Sequence, residues 1–89
     1  MKHDVHHYIK MAFGNKQHIE QADTCGCYFC GRIFKPTEVK NYITEPNGKG
    51  ETAECPFCFI DSVIDNKRVA DGGEVLSEEL LMEVNHKAF

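Results

Sequence analysis

The chain lacks any apolar run long enough to cross a membrane, and its first seven residues, MKHDVHH, contain no apolar stretch of the kind that a signal peptide needs. No lipidation motif stands at either end. These absences argue against membrane-anchored and secreted proteins. We therefore expect a cytoplasmic protein with no membrane partner.

The chain also lacks an excess of positive charge. Ten Lys and Arg face fourteen Asp and Glu, so the formal net charge is −4, and residues 37–89 hold five basic against eleven acidic side chains. Such a protein does not attract nucleic acid by bulk electrostatics. A nucleic-acid contact would have to come from the N-terminal third, with Lys2, Lys10, Lys16, Arg32 and Lys35 as candidates.

Tryptophan is absent, and 89 residues form one domain (1–89) near the lower size at which an apolar core alone suffices. Such a domain needs most of its other aromatic rings inside. We therefore expect the rings near the cysteines to be buried rather than to stack on nucleic-acid bases. They are Tyr28, Phe29, Phe34, Tyr42, Phe57 and Phe59.

Cysteine is present, and four of the five cysteines follow a regular pattern. Cys27 and Cys30 form one Cys-x-x-Cys pair, Cys55 and Cys58 form a second, and 24 residues separate the pairs. Two tight turns can aim four sulfurs at one point, which is the ligand set that tetrahedral Zn²⁺ prefers. The pattern predicts one structural Zn²⁺ held by these four cysteines.

The residues around the pairs favour a metal over disulfides. Gly31 follows the first pair, where a metal-binding turn needs positive φ, and Pro56 pre-sets a tight turn in the second. Five cysteines would leave one unpaired in a disulfide framework, and a reducing cytoplasm keeps thiols free. Structural zinc contributes about 10–16 kcal/mol, so it should decide whether the middle of the chain folds.

Helical patterns lie at both ends of the chain. Residues 3–22 read as an N-terminal helical segment, with an apolar stripe of Val5, Tyr8, Ile9, Ala12 and Phe13 and a stop at Gly14. Asn15 is predicted to cap a second short helix. Residues 77–87 read as a C-terminal helix that begins at a Ser cap and carries an apolar face.

That apolar face is formed by Leu80, Leu81, Val84 and Ala88. We expect it to pack on Val63 and Ile64 rather than remain free, because a small domain needs every apolar face it has.

The middle segment, 25–65, is predicted to be the zinc core. Residues 27–34 are expected to form a turn followed by a strand, and 42–44 another short strand. A helical turn is expected at 36–39 and a loop at 45–50. The apolar spacing of 59–64 favours a helix, and 66–73 reads as a polar linker.

This order of elements predicts an α+β fold: a treble-clef-like core, made of a short β-hairpin plus a helix, with flanking helices. A zinc ribbon, with both pairs in matching turns, is the alternative. The treble clef is preferred because Phe59 stands where the second matching turn of a ribbon would need Gly.

Three segments resemble a group of small bacterial cytoplasmic proteins of uncharacterised function. The segments are Cys25–Cys30 (CGCYFC), Phe34–Val39 (FKPTEV) and Cys55–Ile64 (CPFCFIDSVI), and the tail Asn85–Phe89 (NHKAF) is also similar. Phe59 departs from the Gly of that pattern. The resemblance implies zinc binding and implies no biochemical activity.

Other side chains have weaker claims to function. Cys25, the fifth thiol, is either a small buried residue or a redox switch beside Cys27. His3, His6 and His7 have helical spacing but no further obvious ligand, so we expect solvated histidines rather than a second metal site.

Asp61 and Ser62 follow the second cysteine pair, where a metal-dependent nuclease is one interpretation, but that chemistry needs a histidine base and a second metal site.

The function expected from the sequence is therefore non-catalytic. The zinc would hold a binding or regulatory module whose partner is another protein. The alternatives are a nucleic-acid-binding zinc finger and, behind it, a metal-dependent nuclease or a thiol redox switch. The sequence does not indicate the oligomeric state.

Overall fold

Two short helices are followed along the chain by five short antiparallel strands and then by two further helices. The computed structural model describes the chain from residue 3 to residue 89 apart from the side chain of Asn47. Lys2, one of the candidate basic residues, therefore lies outside the described part. The small α+β fold expected from the sequence is confirmed. Its elements are α1 Val5–Met11, α2 Lys16–Gln21, β1 Cys25–Cys27, β2 Ile33–Phe34, β3 Tyr42–Thr44, β4 Glu51–Ala53, β5 Val63–Asp65, α3 Asn66–Asp71 and α4 Glu78–Ala88. Single 3-10 turns occupy Pro36–Glu38 and Pro46–Gly48.

The strands form two small sheets. Strand β1 lies at the centre of a three-stranded antiparallel sheet of order β2-β1-β5, and β3 pairs with β4. In the larger sheet Cys27 is opposite Val63 and Gly26 is opposite Ile64. This pairing brings the first cysteine pair to the strand that follows the second pair.

The three-stranded sheet separates two apolar cores. Successive side chains of a strand point to opposite faces, and Val63 and Ile64 accordingly belong to different cores. The helix-side core contains Tyr8, Met11, Ala12, Tyr28, Ile64, Val69, Leu80, Leu81 and Val84. The cysteine-side core contains Ile19, Cys25, Cys27, Phe34, Val39, Ala53, Cys55 and Val63. Three of the five cysteines are thus part of an apolar core.

Gly26 explains the Cys-Gly-Cys segment in packing terms. A Cβ placed on Gly26 would lie 2.7 Å from Leu81 Cδ1, so α4 can approach the sheet only because this position has no side chain. Cys25 and Cys27, on either side, belong to the opposite core. The missing side chain of Gly26 thus lets α4 pack on one face of the sheet, while Cys25 and Cys27 pack on the opposite face.

The N-terminal helices follow the sequence prediction with two corrections. Asp4 caps α1 by accepting the N–H of His6, and Gly14 ends this region with φ +57°. Phe13, expected in the apolar stripe, is exposed. Asn15 precedes α2, but its side chain makes no capping hydrogen bond and is used elsewhere.

The C-terminal helix matches the expected 77–87 to within a residue. The Ser77 side chain accepts the N–H of Leu80, and the predicted face packs into the helix-side core. The expectation that this helix is docked is confirmed for Ile64, whereas Val63 lies on the other side of the sheet.

The segment after the second cysteine pair differs from the prediction. The helix expected over 59–64 is wrong, because Val63–Asp65 is strand β5, and the linker expected over 66–73 is wrong, because Asn66–Asp71 is helix α3. Phe59 has φ +63°, which stops a right-handed helix directly after Cys58. Asp65 then caps α3 by accepting the N–H of Arg68. The treble-clef order, with a helix starting at the second pair, is not confirmed.

Candidate metal centre

The first cysteine pair lies in the turn that joins β1 to β2. Cys27 N–H donates to the carbonyl of Arg32 at 3.0 Å, and Gly31 N–H donates to the carbonyl of Cys27 at 2.8 Å. Gly31 has φ +81°, which a glycine adopts without steric cost. The turn therefore closes around its two cysteines through its own backbone.

The second cysteine pair lies in a turn with the same hydrogen-bond pattern. Cys55 N–H donates to the carbonyl of Ile60 at 2.9 Å, and Phe59 N–H donates to the carbonyl of Cys55 at 3.0 Å. Phe59 occupies the position of Gly31 in the first turn and has the same sign of φ. The two turns match residue for residue, although the second has Phe where the first has Gly.

Different elements hold the two turns. The first is fixed by β1, the central strand. The second is fixed by Asn15, whose fully buried side chain donates from Nδ2 to the carbonyl of Val63 at 2.7 Å and accepts the N–H of Ala53 at 3.0 Å. Ala53 and Val63 flank the second turn in sequence. The sequence predicts a helix cap at Asn15, and its bridging role has no local sequence signal.

The four predicted cysteines come together at one point. Their sulfurs all lie within 4.8 Å of one another, and the contacts between the turns are Cys27 Sγ to Cys58 Sγ, 3.6 Å, and Cys30 Sγ to Cys55 Sγ, 3.7 Å. Tetrahedral zinc with Zn–S bonds of about 2.3 Å would place its sulfurs about 3.8 Å apart. The group is therefore compatible with a metal site.

The surroundings of the sulfurs make an isolated anion costly. Cys27 and Cys55 are buried, whereas Cys30 and Cys58 are half-buried. Burial raises the pKa of Cys27 well above its ordinary value. Backbone N–H groups partly offset this, and the N–H of Phe57 also lies 3.4 Å from Cys55 Sγ. A bound dication would supply the charge that stabilises four thiolates here.

Cys25 does not belong to the sulfur group. It is fully buried in the cysteine-side core, and burial, aided by the nearby charge of Asp65, raises its pKa to about 12. A thiol with that pKa stays protonated at neutral pH and is a poor nucleophile. Its surroundings are those of a small core residue.

The N-terminal histidines lie apart from the cysteines. The rings of His3 and His7 stack at 4.2 Å, His3 Nε2 lies 2.8 Å from the carbonyl of Gly72, and His6 contacts Asp4. Stacked rings direct their in-plane lone pairs side by side rather than at a common point. Among residues 3–89 the cysteine group is the one cluster of potential metal ligands.

The candidate basic residues Lys10, Lys16 and Arg32 each have different neighbours in the structure. Lys16 pairs with Glu51 at 2.9 Å and lies over the ring of Tyr42, whereas Arg32 lies 4.7 Å above the ring of Phe57. Lys10 lines a separate pocket of about 520 Å³ between α1 and α3. Each cation therefore has its own surroundings.

The aromatic residues near the cysteines are only partly buried. Tyr28 and Phe34 are in the cores and Tyr42 is half-buried, as expected. Phe29, Phe57 and Phe59 are exposed, so the expectation of burial is wrong for these three. All three belong to the cysteine turns.

Helix α4 contacts the first turn through a second stripe that sequence reading missed. Met82 Sδ lies 2.7 Å from where a Cβ on Gly31 would be, and Asn85 donates from Nδ2 to the carbonyl of Phe29 at 3.0 Å. The ring of Phe89 meets that of Phe29 edge-on at 5.1 Å. Positions 82, 85 and 89 have helical spacing, but mixed chemistry concealed the pattern.

No helix in the described part of the chain has the length and apolar character needed to cross a membrane. No family model, no curated protein and no solved structure matches the chain.

Proposed function

We propose that Cys27, Cys30, Cys55 and Cys58 bind one Zn²⁺ and that the metal is structural. The observation that carries this proposal is the convergence of four sulfurs from two matching turns, all within 4.8 Å of one another. Sulfur in a tetrahedral arrangement is typical of zinc or of iron–sulfur centres. One colourless Zn²⁺ per chain is the expected outcome.

The matching turns favour a ribbon-like arrangement over a treble clef. Both cysteine pairs close through the same two backbone hydrogen bonds, and strand β5 rather than a helix follows the second pair. In such an arrangement the metal links two turns that are far apart in sequence. Its contribution of about 10–16 kcal/mol compares with a net domain stability of about 5–15 kcal/mol.

The proposed zinc site is non-catalytic. Four thiolates fill the tetrahedral coordination of Zn²⁺ and leave no position for a water molecule or substrate. The potential ligand group found among residues 3–89 contains no histidine or carboxylate. Asp61 is exposed and Ser62 is buried, and neither belongs to that group.

The function we propose is a binding or regulatory module that recognises another protein. Its support is the exposure of Phe29 and Phe57 on turns that the metal would hold rigid. Aromatic side chains on a rigid support are typical of protein interfaces. Four thiolates and one Zn²⁺ together add −2, changing the formal charge from −4 to about −6, which disfavours nucleic acid.

Elemental analysis of the purified protein tests the metal, with single Cys→Ser variants at the four positions and Cys25→Ala as the matched control. We expect one zinc per chain in the wild type and in the control, and strong loss in the four variants. A folded protein without zinc, or an iron–sulfur chromophore, would overturn the proposal. The binding role is tested by chemical cross-linking of the zinc-loaded wild type and the zinc-loaded Phe57→Ala variant. We expect fewer cross-linked products from the variant, and the same products from both would contradict the binding role.

A further inference from the structure

Five exposed apolar side chains of the two cysteine turns, β2 and α4 are here called the aromatic face. They are Phe29, Ile33, Phe57, Met82 and Phe89. Phe29 contacts Phe89, and Met82 lies against Gly31, which lines one cleft with Ile33 and Phe57. Two cysteine turns and the C-terminal helix therefore all contribute to this face.

The aromatic face exposes a sizeable area of apolar surface. Its side chains are between 43% and 65% exposed. Given that an aromatic side chain buries 150–250 Å², the face presents about 450 Å² of apolar surface. Patches of this size on monomers are often functional.

Two opposite charges border the cleft within the aromatic face. The cleft has a volume of about 410 Å³ and is lined by Arg32 and Glu78 as well as by Ile33 and Phe57. Arg32 lies over the ring of Phe57. Neither Arg32 nor Glu78 forms an ion pair with another residue of the described part, 3–89.

We propose that the aromatic face is the contact between two copies of this chain, related by a two-fold axis that sets Arg32 of each copy opposite Glu78 of the other. The inference rests on the proposed function and names its partner as a second copy. A two-fold contact must be self-complementary, and an apolar centre with one charge of each sign at its border meets that condition. Nucleic acid would instead meet the Glu78 carboxylate.

The area of the face decides whether a dimer is plausible. Two such faces bury about 900 Å² of apolar surface, and a polar rim raises the total to about 1,200 Å², the lower end for stable interfaces. We therefore expect a reversible dimer whose population depends on protein concentration rather than a permanent one. Charge repulsion between the copies is largely screened at physiological salt.

Sedimentation of zinc-loaded protein over a concentration series tests the dimer. We expect a monomer–dimer equilibrium that Phe89→Ala weakens by at least about tenfold, because it removes the most exposed ring of the face. Phe13→Ala is the matched control, since Phe13 is 56% exposed and lies outside the face. Equal loss in both variants would overturn the proposal.

Charge reversal tests the geometry independently of apolar packing. Arg32→Glu and Glu78→Arg should each weaken self-association by at least about tenfold, because each sets like charges opposite one another. Mixing the two single variants should restore dimers, since one variant then presents two carboxylates and the other two guanidinium groups, so that both pairs between the copies are attractive. Lys67→Glu, on α3, is the charge control and should have no effect.

The outcomes separate this inference from the metal assignment, because zinc content is measured on the same samples. A zinc-loaded wild type that stays monomeric up to high micromolar concentration overturns the dimer and leaves the zinc site intact. Dimers insensitive to Phe89→Ala and to both charge reversals would place the interface elsewhere. Submicromolar binding of single-stranded DNA, abolished by Phe57→Ala, would assign the face to nucleic acid instead.

Discussion

The side-chain amide of Asn15 donates to the carbonyl of Val63 at 2.7 Å, from a position that is fully buried. The same side chain accepts the N–H of Ala53, so one residue before α2 spans both flanks of the second cysteine turn. The turn has the clustered cysteine sulfurs on one side and this polar bridge on the other.

Asn15→Ala should lower the free energy of unfolding of the zinc-loaded protein by about 2–4 kcal/mol, because it leaves a buried N–H and a buried carbonyl unpaired. Denaturant unfolding followed by circular dichroism measures the loss. Asn41→Ala, at an exposed position, is the control and should change stability by no more than about 0.5 kcal/mol. Equal stability of the two variants would show that the bridge is not needed.

Gly31→Ala should destabilise the protein because the position has φ +81°, a conformation that costs alanine more than glycine. A Cβ would also lie 2.7 Å from Met82 Sδ, but this atom is near the end of a flexible side chain that is 44% exposed, so it can move aside. We expect a loss of about 1–2 kcal/mol in the free energy of unfolding, in the wild-type background and in a Met82→Ala background alike. Denaturant unfolding measures both, and a much smaller loss in the Met82→Ala background would show that Met82 does not move aside.

Phe59→Gly should instead stabilise the protein. Phe59 carries φ +63° and its side chain is 63% exposed, so the change removes backbone strain and little burial. Removing the strain should stabilise the protein by about 1–2 kcal/mol. The greater entropy of glycine in the unfolded chain reduces this to a net gain of about 0.5–1 kcal/mol in the free energy of unfolding. Thermal unfolding of the zinc-loaded variant measures it, and a lower midpoint would contradict the matching of the two turns.

Removal of the metal by a chelator should unfold residues 27–64. The cysteine-side core contains three of the cysteines and few large apolar side chains, so the metal term of about 10 kcal/mol or more dominates its stability. Amide exchange should show lost protection in β1 and β5, with recovery on adding Zn²⁺. Protection unchanged by chelation would mean that the core holds without a metal.

Cys25 should resist alkylation in the zinc-loaded protein at pH 8 and react only on unfolding. It is fully buried, and its pKa of about 12 leaves almost no thiolate at that pH. Mass spectrometry after timed exposure to iodoacetamide measures the rate. Rapid modification of Cys25 with zinc still bound would favour the redox-switch hypothesis.

Local signals accounted for the parts of the fold that could be predicted. Ser77 caps α4 and Gly14 ends the first helical region because both depend on backbone chemistry within a few residues. The cysteine pairs were found because Cys-x-x-Cys spacing reflects turn geometry. These features need no knowledge of distant neighbours.

The missed parts depend on distant partners. The apolar spacing of Val63 and Ile64 suits a helix as well as a strand, and pairing with β1 decides between them. Asn15 looks like a helix cap in sequence, and only the assembled fold shows its partners at Ala53 and Val63. The sequence around Met82 and Phe89 gave no signal of their packing, because the surface that they cover belongs to a turn some fifty residues earlier.

The place of β1 in the sheet also sets an order of assembly. Its pairing with β2 closes a short turn, whereas its pairing with β5 joins Cys27 to Val63 across a long loop, which forms more slowly. With the proposed zinc site, the first turn would bind the metal ion through two thiolates before the second pair arrives. The ion would then tether the second turn and shorten the search that β5 must make. The folding rate of this protein should rise with free zinc, so zinc supply would govern how fast it folds as well as how stable it is.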